Sequence, residues 1–196
     1  MKKTIFFLLI ILINFSFAQK ADSINYGGIF LNAQDYKDNK LSYSYNCESP
    51  SVKIKFNHFF SKKYIEIISG DKKTRLYKDS IFGYRDCKQK EYRFYKDYDH
   101  EYQVVENKNI IIYIADEPVT SSTGKTVNLV PHYFFSSTLN SAILPLTIIN
   151  LKRAFPDNLK FHDLLDVEFY DIKTISTYDD THKMYKINYL LSQSNN

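Results

Sequence analysis

Short apolar–polar alternations separated by short polar gaps fill the middle of the chain, and they restrict its architecture more than any other feature. Val52, Ile54 and Phe56 alternate with Lys53 and Lys55, the period of a strand with one buried face. Further strand signals lie at 64–69, 74–77, 81–84, 91–95, 102–105 and 110–115, with Gly70-Asp71 as a turn after the first of them. The gaps leave no room for crossover helices, so neighbouring strands are expected to pair antiparallel as a meander. About seven or eight strands of this kind make a strongly twisted sheet or a partly closed barrel. Residues 26–31 read as an opening strand, after which Asn32 caps one helical turn through Tyr36 that Asn39 ends.

Towards the C-terminus the period changes. Ile148, Leu151 and Phe155 recur at helical spacing behind Thr147, an N-cap, and Pro156 stops that helix. Asp157 is the expected cap of a second helix carrying Phe161, Leu164, Leu165 and Phe169, and a third is expected to begin near Asp179 with Met184, Ile187 and Leu191. The stripes read as core contacts against a sheet. Residues 117–130 form a polar interval containing S-S-T-G-K-T, read as an exposed loop or a hairpin tip, and a strand resumes at 132–136. The expected fold class is therefore α+β: an antiparallel β-meander, as a twisted sheet or partly closed barrel, covered by two or three C-terminal helices.

The first eighteen residues address location. Lys2 and Lys3 precede an unbroken apolar run at 5–13, and Ser16 and Ala18 occupy the −3 and −1 positions of a cleavage site. This is the order of a secretory signal peptide, too short to span a bilayer, which takes roughly 20 residues. Residues 1–18 are read as the signal and 19–196 as a single α+β domain in the periplasm or secreted, with no integral span after cleavage. Gln19 would begin the mature chain and offers no cysteine for lipidation. An outer-membrane barrel is disfavoured, because the strand signals fall short of the roughly nine to eleven residues that span a membrane.

The formal charge of +4 falls to +2 without Lys2 and Lys3. The pairs Lys62-Lys63 and Lys72-Lys73 and the cluster Lys88 to Lys90 are short and interrupted by acids, so nucleic acid is not an expected partner. Tyrosine is abundant, at 17 residues with 15 Phe and no Trp; a Tyr-rich sheet accounts for this, and a sugar- or peptide-stacking surface is the functional alternative. Cys47 and Cys87 are the sole cysteines. In an exported chain they form a candidate disulfide, closing a loop worth roughly 4 kcal/mol in the chain-entropy model. Two separate thiols remain the alternative, and no C-x-x-C motif supports a redox role.

Catalytic signals are weak. Gly124-Lys125-Thr126 resembles the end of a phosphate loop, yet Val119 stands where that motif needs another glycine. His58, His100, His132, His162 and His182 make neither H-x-H nor H-E-x-x-H. His162 and Asp166 share a helical face at a spacing that could hold a metal, but read better as a local polar pair. Asp99-His100-Glu101 reads as a turn. Ser121, Ser122, Ser136 and Ser137 lack an identifiable base, no G-x-S-x-G elbow occurs, and Asp163, Asp166, Asp179 and Asp180 read as solvated or capping residues. No catalytic, cofactor-binding or metal-binding residue is assigned, and no cofactor is expected.

Three stretches, G-I-F-L-N-A-Q-D-Y at 28–36, I-F-G-Y-R at 81–85 and P-L-T-I-I-N-L-K-R-A-F-P-D-N at 145–158, resemble uncharacterised predicted secreted proteins of Bacteroidota. The resemblance spans most of the mature chain and implies a Gram-negative envelope or secreted setting. It supplies no activity, cofactor or site residue. The expected function is that of an exported, non-catalytic, envelope-associated or secreted protein binding an envelope protein, a glycan or a small apolar ligand. The alternative is an envelope hydrolase whose site is assembled from residues distant in sequence.

Overall fold

A computed structural model describes residues 25–56, 62–95, 101–120, 124, 127–169 and 175–194. The expected signal at 1–18 and its cleavage point lie outside these residues, as do His58, Asp99, His100, Ser121, Ser122, Lys125 and Thr126.

Antiparallel pairing organises the β portion. The strands are β1 (Tyr26–Phe30), β2 (Ser42–Asn46), β3 (Lys53–Lys55), β4 (Tyr64–Ser69), β5 (Lys72–Tyr77), β6 (Gly83–Arg85), β7 (Glu91–Phe94), β8 (Glu101–Asn107), β9 (Ile111–Thr120), β10 (Val127–Ser136) and β11 (Leu144–Pro145). Eight of them form an open sheet in the order β11-β10-β9-β8-β7-β6-β1-β2. Strands β6 to β11 run as the expected meander. Strands β3, β4 and β5 leave it and make a second, three-stranded sheet, so one continuous meander becomes two sheets. The chain returns through a single 3-10 turn, Lys78–Ser80, and β6 then pairs back with β1.

The physical reason for the split lies in what each sheet buries. Ile54, Ile65 and Leu76 of the small sheet share a cluster with Ile29, Tyr84 and Phe94 of the large one and with Ile81, which precedes β6. The register puts Ile29, Tyr84, Tyr92, Phe94, Ile112, Ile114, Tyr133 and Phe135 on one face of the large sheet. The small sheet covers one end of that face. The other end is covered by helices α2 (Ile148–Ala154), α3 (Leu159–Glu168) and α4 (Lys186–Ser194), whose Leu151, Phe161, Leu165, Ile187 and Leu191 pack on Ile112 and Phe135. Burying one such aromatic or aliphatic side chain contributes about 2 kcal/mol. On the opposite face, Tyr102, Tyr113 and Phe134 pack with Ile143 and Leu139 of the segment between β10 and β11. Tyr36 of helix α1 (Ala33–Lys37) stacks edge-on against Phe30 and lies beside Phe82.

Local signals behave as expected where they are self-contained. Asn32 Oδ1 accepts from Asp35 N at 2.8 Å and Thr147 Oγ1 from Asn150 N at 3.2 Å, each capping its helix. Gly70 takes φ +57° in the β4–β5 turn, a conformation open to glycine without strain. Three expectations are corrected. Asn158, not Asp157, caps α3 through Phe161 N. The third helix begins at Lys186 rather than near Asp179, because Tyr178–Asp179 (β12) and Met184–Tyr185 (β13) first form a small hairpin. The loop reading of 117–130 gives way to the hairpin one, with β9 and β10 extending further into the interval than a tip alone would.

A bulge between Val104 and Glu106 shifts the β8–β9 register. It turns Glu106 towards the helical layer, where its carboxylate accepts from Tyr185 N and from Asn188 Nδ2. Fully buried Asn188 also accepts from Ile110 N at 2.8 Å and donates to Ile110 O at 3.1 Å. This polar clamp fixes α4 to the β8–β9 hairpin.

Candidate functional site

The residues singled out for chemistry do not converge. Cys47 and Cys87 are joined by a disulfide with Cα atoms 5.5 Å apart, tying the end of β2 to the β6–β7 turn. His162 Nε2 donates to Phe155 O at 2.8 Å, while Asp166 accepts from Lys152 Nζ at 2.6 Å, so the two side chains that shared a helical face turn to different partners. Among the described residues no group of three or more His, Cys, Asp or Glu side chains could hold a metal. His182 Nδ1 lies 2.7 Å from Asp179 Oδ2 and its ring stacks on Tyr189, with centroids 3.8 Å apart. The Asp179 carboxyl is held below its usual value, first by this hydrogen bond and then by the backbone N–H of His182. His132 Nδ1 lies 3.7 Å from Glu117. Among the described residues neither histidine is hydrogen-bonded to a serine or threonine hydroxyl. Ser136, one of the serines considered, is fully buried beside the Tyr113 hydroxyl at 2.8 Å.

Sequence reasoning missed two polar centres, one within the large sheet and one between the two sheets. Arg93, 5% exposed, donates to Tyr113 Oη at 3.0 Å, Ser136 Oγ at 3.3 Å and Ser141 O at 3.1 Å, and lies over the rings of Phe82 and Tyr95. Its acceptors are neutral, so its cation is stabilised by dipoles and aromatic faces. Between the two sheets, Tyr84 Oη donates to Glu101, which also lies 3.5 Å from buried Lys78 Nζ. Burial, then the Glu101 charge, drives the Tyr84 hydroxyl far above its ordinary value. Both centres are packed into the fold rather than open to a ligand.

The exposed feature is the β9–β10 ribbon. Its ladder runs without interruption from Ile111↔Ser136 to Thr120↔Val127. The base is core: Ile111, Ile112, Tyr113, Phe134 and Phe135 are all buried. Beyond Ala115↔His132 the same ladder leaves the body. β8 pairs with β9 only as far as Ile114, and β11 reaches β10 only at Phe134 and Phe135. About five residue pairs, roughly 15 Å at strand rise, therefore have no further strand beside them among the described residues. Along one face run Val127, Leu129 and Pro131 with Pro118 opposite Leu129; Leu129 is 68% and Val127 65% exposed. At its foot a groove of about 550 Å³ is lined by Pro131, Tyr133, Pro145, Leu146 and Ile175.

The prolines shape what this ribbon can do. A proline fits an antiparallel ladder where its nitrogen points away from the partner strand. Pro118↔Leu129 and Asp116↔Pro131 are two steps apart and so share that parity. Each outer edge thus carries a position without a donor, which obstructs addition of another strand. Contact is left to the faces. Comparison of the chain with protein-family models, curated proteins and solved structures finds no match.

Proposed function

We propose that the protein is an exported, non-catalytic docking module of a Gram-negative envelope or its surroundings, engaging a protein partner through the apolar face of its β9–β10 ribbon. The carrying observation is the projection of Val127 and Leu129 into solvent on a ladder whose base is locked in the core. Exposed apolar stripes of this kind, rimmed by polar residues, mark contact surfaces. The groove at the ribbon foot continues the stripe and gives a partner side chain somewhere to insert. Export supports the reading through the arrangement of Lys2, Lys3, the apolar run and Ala18.

The test is crosslinked affinity capture from the native envelope with the full chain and a Val127→Asp/Leu129→Asp variant. Capture of a defined protein by the parent and its loss in the variant, with unchanged circular dichroism, is expected. Equal capture by both, or robust turnover of ester, peptide or glycoside substrates by the purified protein, overturns it. Native material whose N-terminus is Gln19 is the expected sign of export; residues 1–18 retained in a cytosolic fraction would remove that part.

A further inference from the structure

The three-stranded sheet carries a second surface, separate from the ribbon. Its register places Lys53↔Ile68↔Lys73 and Lys55↔Glu66↔Arg75 as cross-strand rows, with Tyr64↔Tyr77 beyond them. Opposite residues in a ladder share a face and i, i+2 neighbours join them. Ile54, Ile65 and Leu76 occupy the inner face against the large sheet, so Lys53, Lys55, Lys73, Arg75, Tyr64 and Tyr77 occupy the outer one. Lys62 joins them, its Nζ 5.6 Å from the Tyr64 ring centroid. The one carboxylate in these rows, Glu66, lies 3.3 Å from Arg75 Nε. Asp71 sits at the hairpin turn beyond them.

The charge balance makes the face distinctive. Among the described residues, five cations and one carboxylate lie here, a local excess of four positive charges. Without Lys2 and Lys3 the formal charge of the chain is +2, so this face is more positive than the remainder of the molecule, which is net negative. In sequence these cations belong to separate short clusters, and only period-two alternation on three antiparallel strands brings them together. β3 and β5 flank β4 at about 10 Å from each other, and each rail repeats its cation at about 7 Å. Two rails of this spacing bracket a single extended polymer lying along β4, and are too close for a nucleic-acid duplex, whose major groove alone is about 12 Å wide. Tyr77, 58% exposed at the end of the trough, offers a flat ring to a sugar face, whereas the Tyr64 ring is already covered by Arg75 at 4.7 Å.

We infer that the outer face of the β3–β4–β5 sheet binds an acidic polysaccharide, its carboxylates paired with the rails of Lys53, Lys55, Lys73 and Arg75 and one sugar ring resting on Tyr77. The occupant is chosen by charge complementarity, by the width of the trough and by the scarcity of aliphatic side chains on the face, where Ile68 is half-buried between the rails; a lipid surface would call for protruding apolar anchors.

The experiment is affinity electrophoresis and calorimetry of the full chain with polygalacturonate. Its fully methyl-esterified form, phosphatidylglycerol vesicles and single-stranded DNA serve as the other arms. Binding to polygalacturonate that weakens steeply with salt, and no binding to the neutral ester, is expected. Lys53→Glu/Lys73→Glu should weaken it at least tenfold. Lys37→Glu/Lys88→Glu, the same charge change elsewhere on the surface, should leave it within twofold. Tyr77→Ala should weaken it about threefold with the salt dependence kept. Equal loss in both charge-reversed variants, tighter binding to vesicles or DNA, or no binding to polygalacturonate overturns the inference. The substituted side chains are exposed, and thermal melts of each variant establish that the fold is retained.

Discussion

The two halves of the β9–β10 ribbon share one ladder and one register, yet obey different physics. At the base, Ile112 and Phe135 face each other at zero exposure, held by α2–α4. At the far end, Leu129 faces Pro118 in solvent. The hydrogen-bonded backbone is common to both; what differs is whether a side chain leaves water. Stability should therefore reside in the base, and recognition in the distal half.

The sharpest way to break this contrast is Phe135→Ala, which removes a fully buried ring and should cost about 4 kcal/mol in chemical denaturation. Asn188→Ala comes next, at about 3 kcal/mol, because it strands the Ile110 amide and carbonyl and one side of Glu106 at the base of the β8–β9 hairpin. If either variant melts like the parent, the base is not where the ladder is anchored.

High pH should divide the regions in a graded way. Tyr36, Tyr84 and Tyr185 have hydroxyls raised above the ordinary value of 10, in each case chiefly by burial and then by Glu91, Glu101 and Tyr133 respectively. A group whose folded value exceeds its unfolded one stabilises fully below the unfolded value, and that contribution is lost as pH rises through the folded one. The denaturation midpoint should thus start to fall above about pH 10, with these tyrosines ionising only on unfolding when followed by ultraviolet difference absorbance. Residues 116–132 contain no tyrosine, so the distal half of the ribbon should give no such signal of its own.

The smaller effects test the surface. Leu129→Ala should change stability by less than about 0.5 kcal/mol, and a value near that of Phe135→Ala would mean that the distal ribbon is packed. Acid should loosen the β12–β13 turn. Asp179 is lowered, so its contribution is present above the usual carboxylate value and is lost as pH falls through the lower folded one. The amides of Thr181 and His182, which donate to Asp179 Oδ1, should then exchange faster with deuterium while the Ile110 amide keeps its protection.

What could be read in advance follows the range of the interactions. Strand β4, the Gly70-Asp71 turn and the caps Asn32 and Thr147 are local, and each was legible from a handful of residues. Strand β2 was not, because S-Y-S-Y-N has no aliphatic alternation and owes its place to pairing with β1. The division into two sheets was hidden for the same reason: nothing near β1 announces β6 as its neighbour. The distal ribbon read as a loop or a mere hairpin tip because both of its faces are wet, which erases the alternation that marks a strand. The basic face was invisible as a surface, since Lys53, Lys73 and Arg75 meet only through register. In the buried polar centres, Arg93 and Lys78 gave no warning, because cations look solvated in sequence.

The route of the chain also dictates an order of assembly. The N-terminal hairpin joins the ladder of the large sheet through the pairing of β1 with β6, so its edge position cannot be secured until the small sheet has been threaded out and back. Cys47 and Cys87, 40 residues apart, straddle that return. Thiol trapping during refolding would therefore act as a clock: disappearance of both free thiols times the closing of the excursion, and should lag behind collapse of the β8–β10 core, whose contacts are made between sequence neighbours.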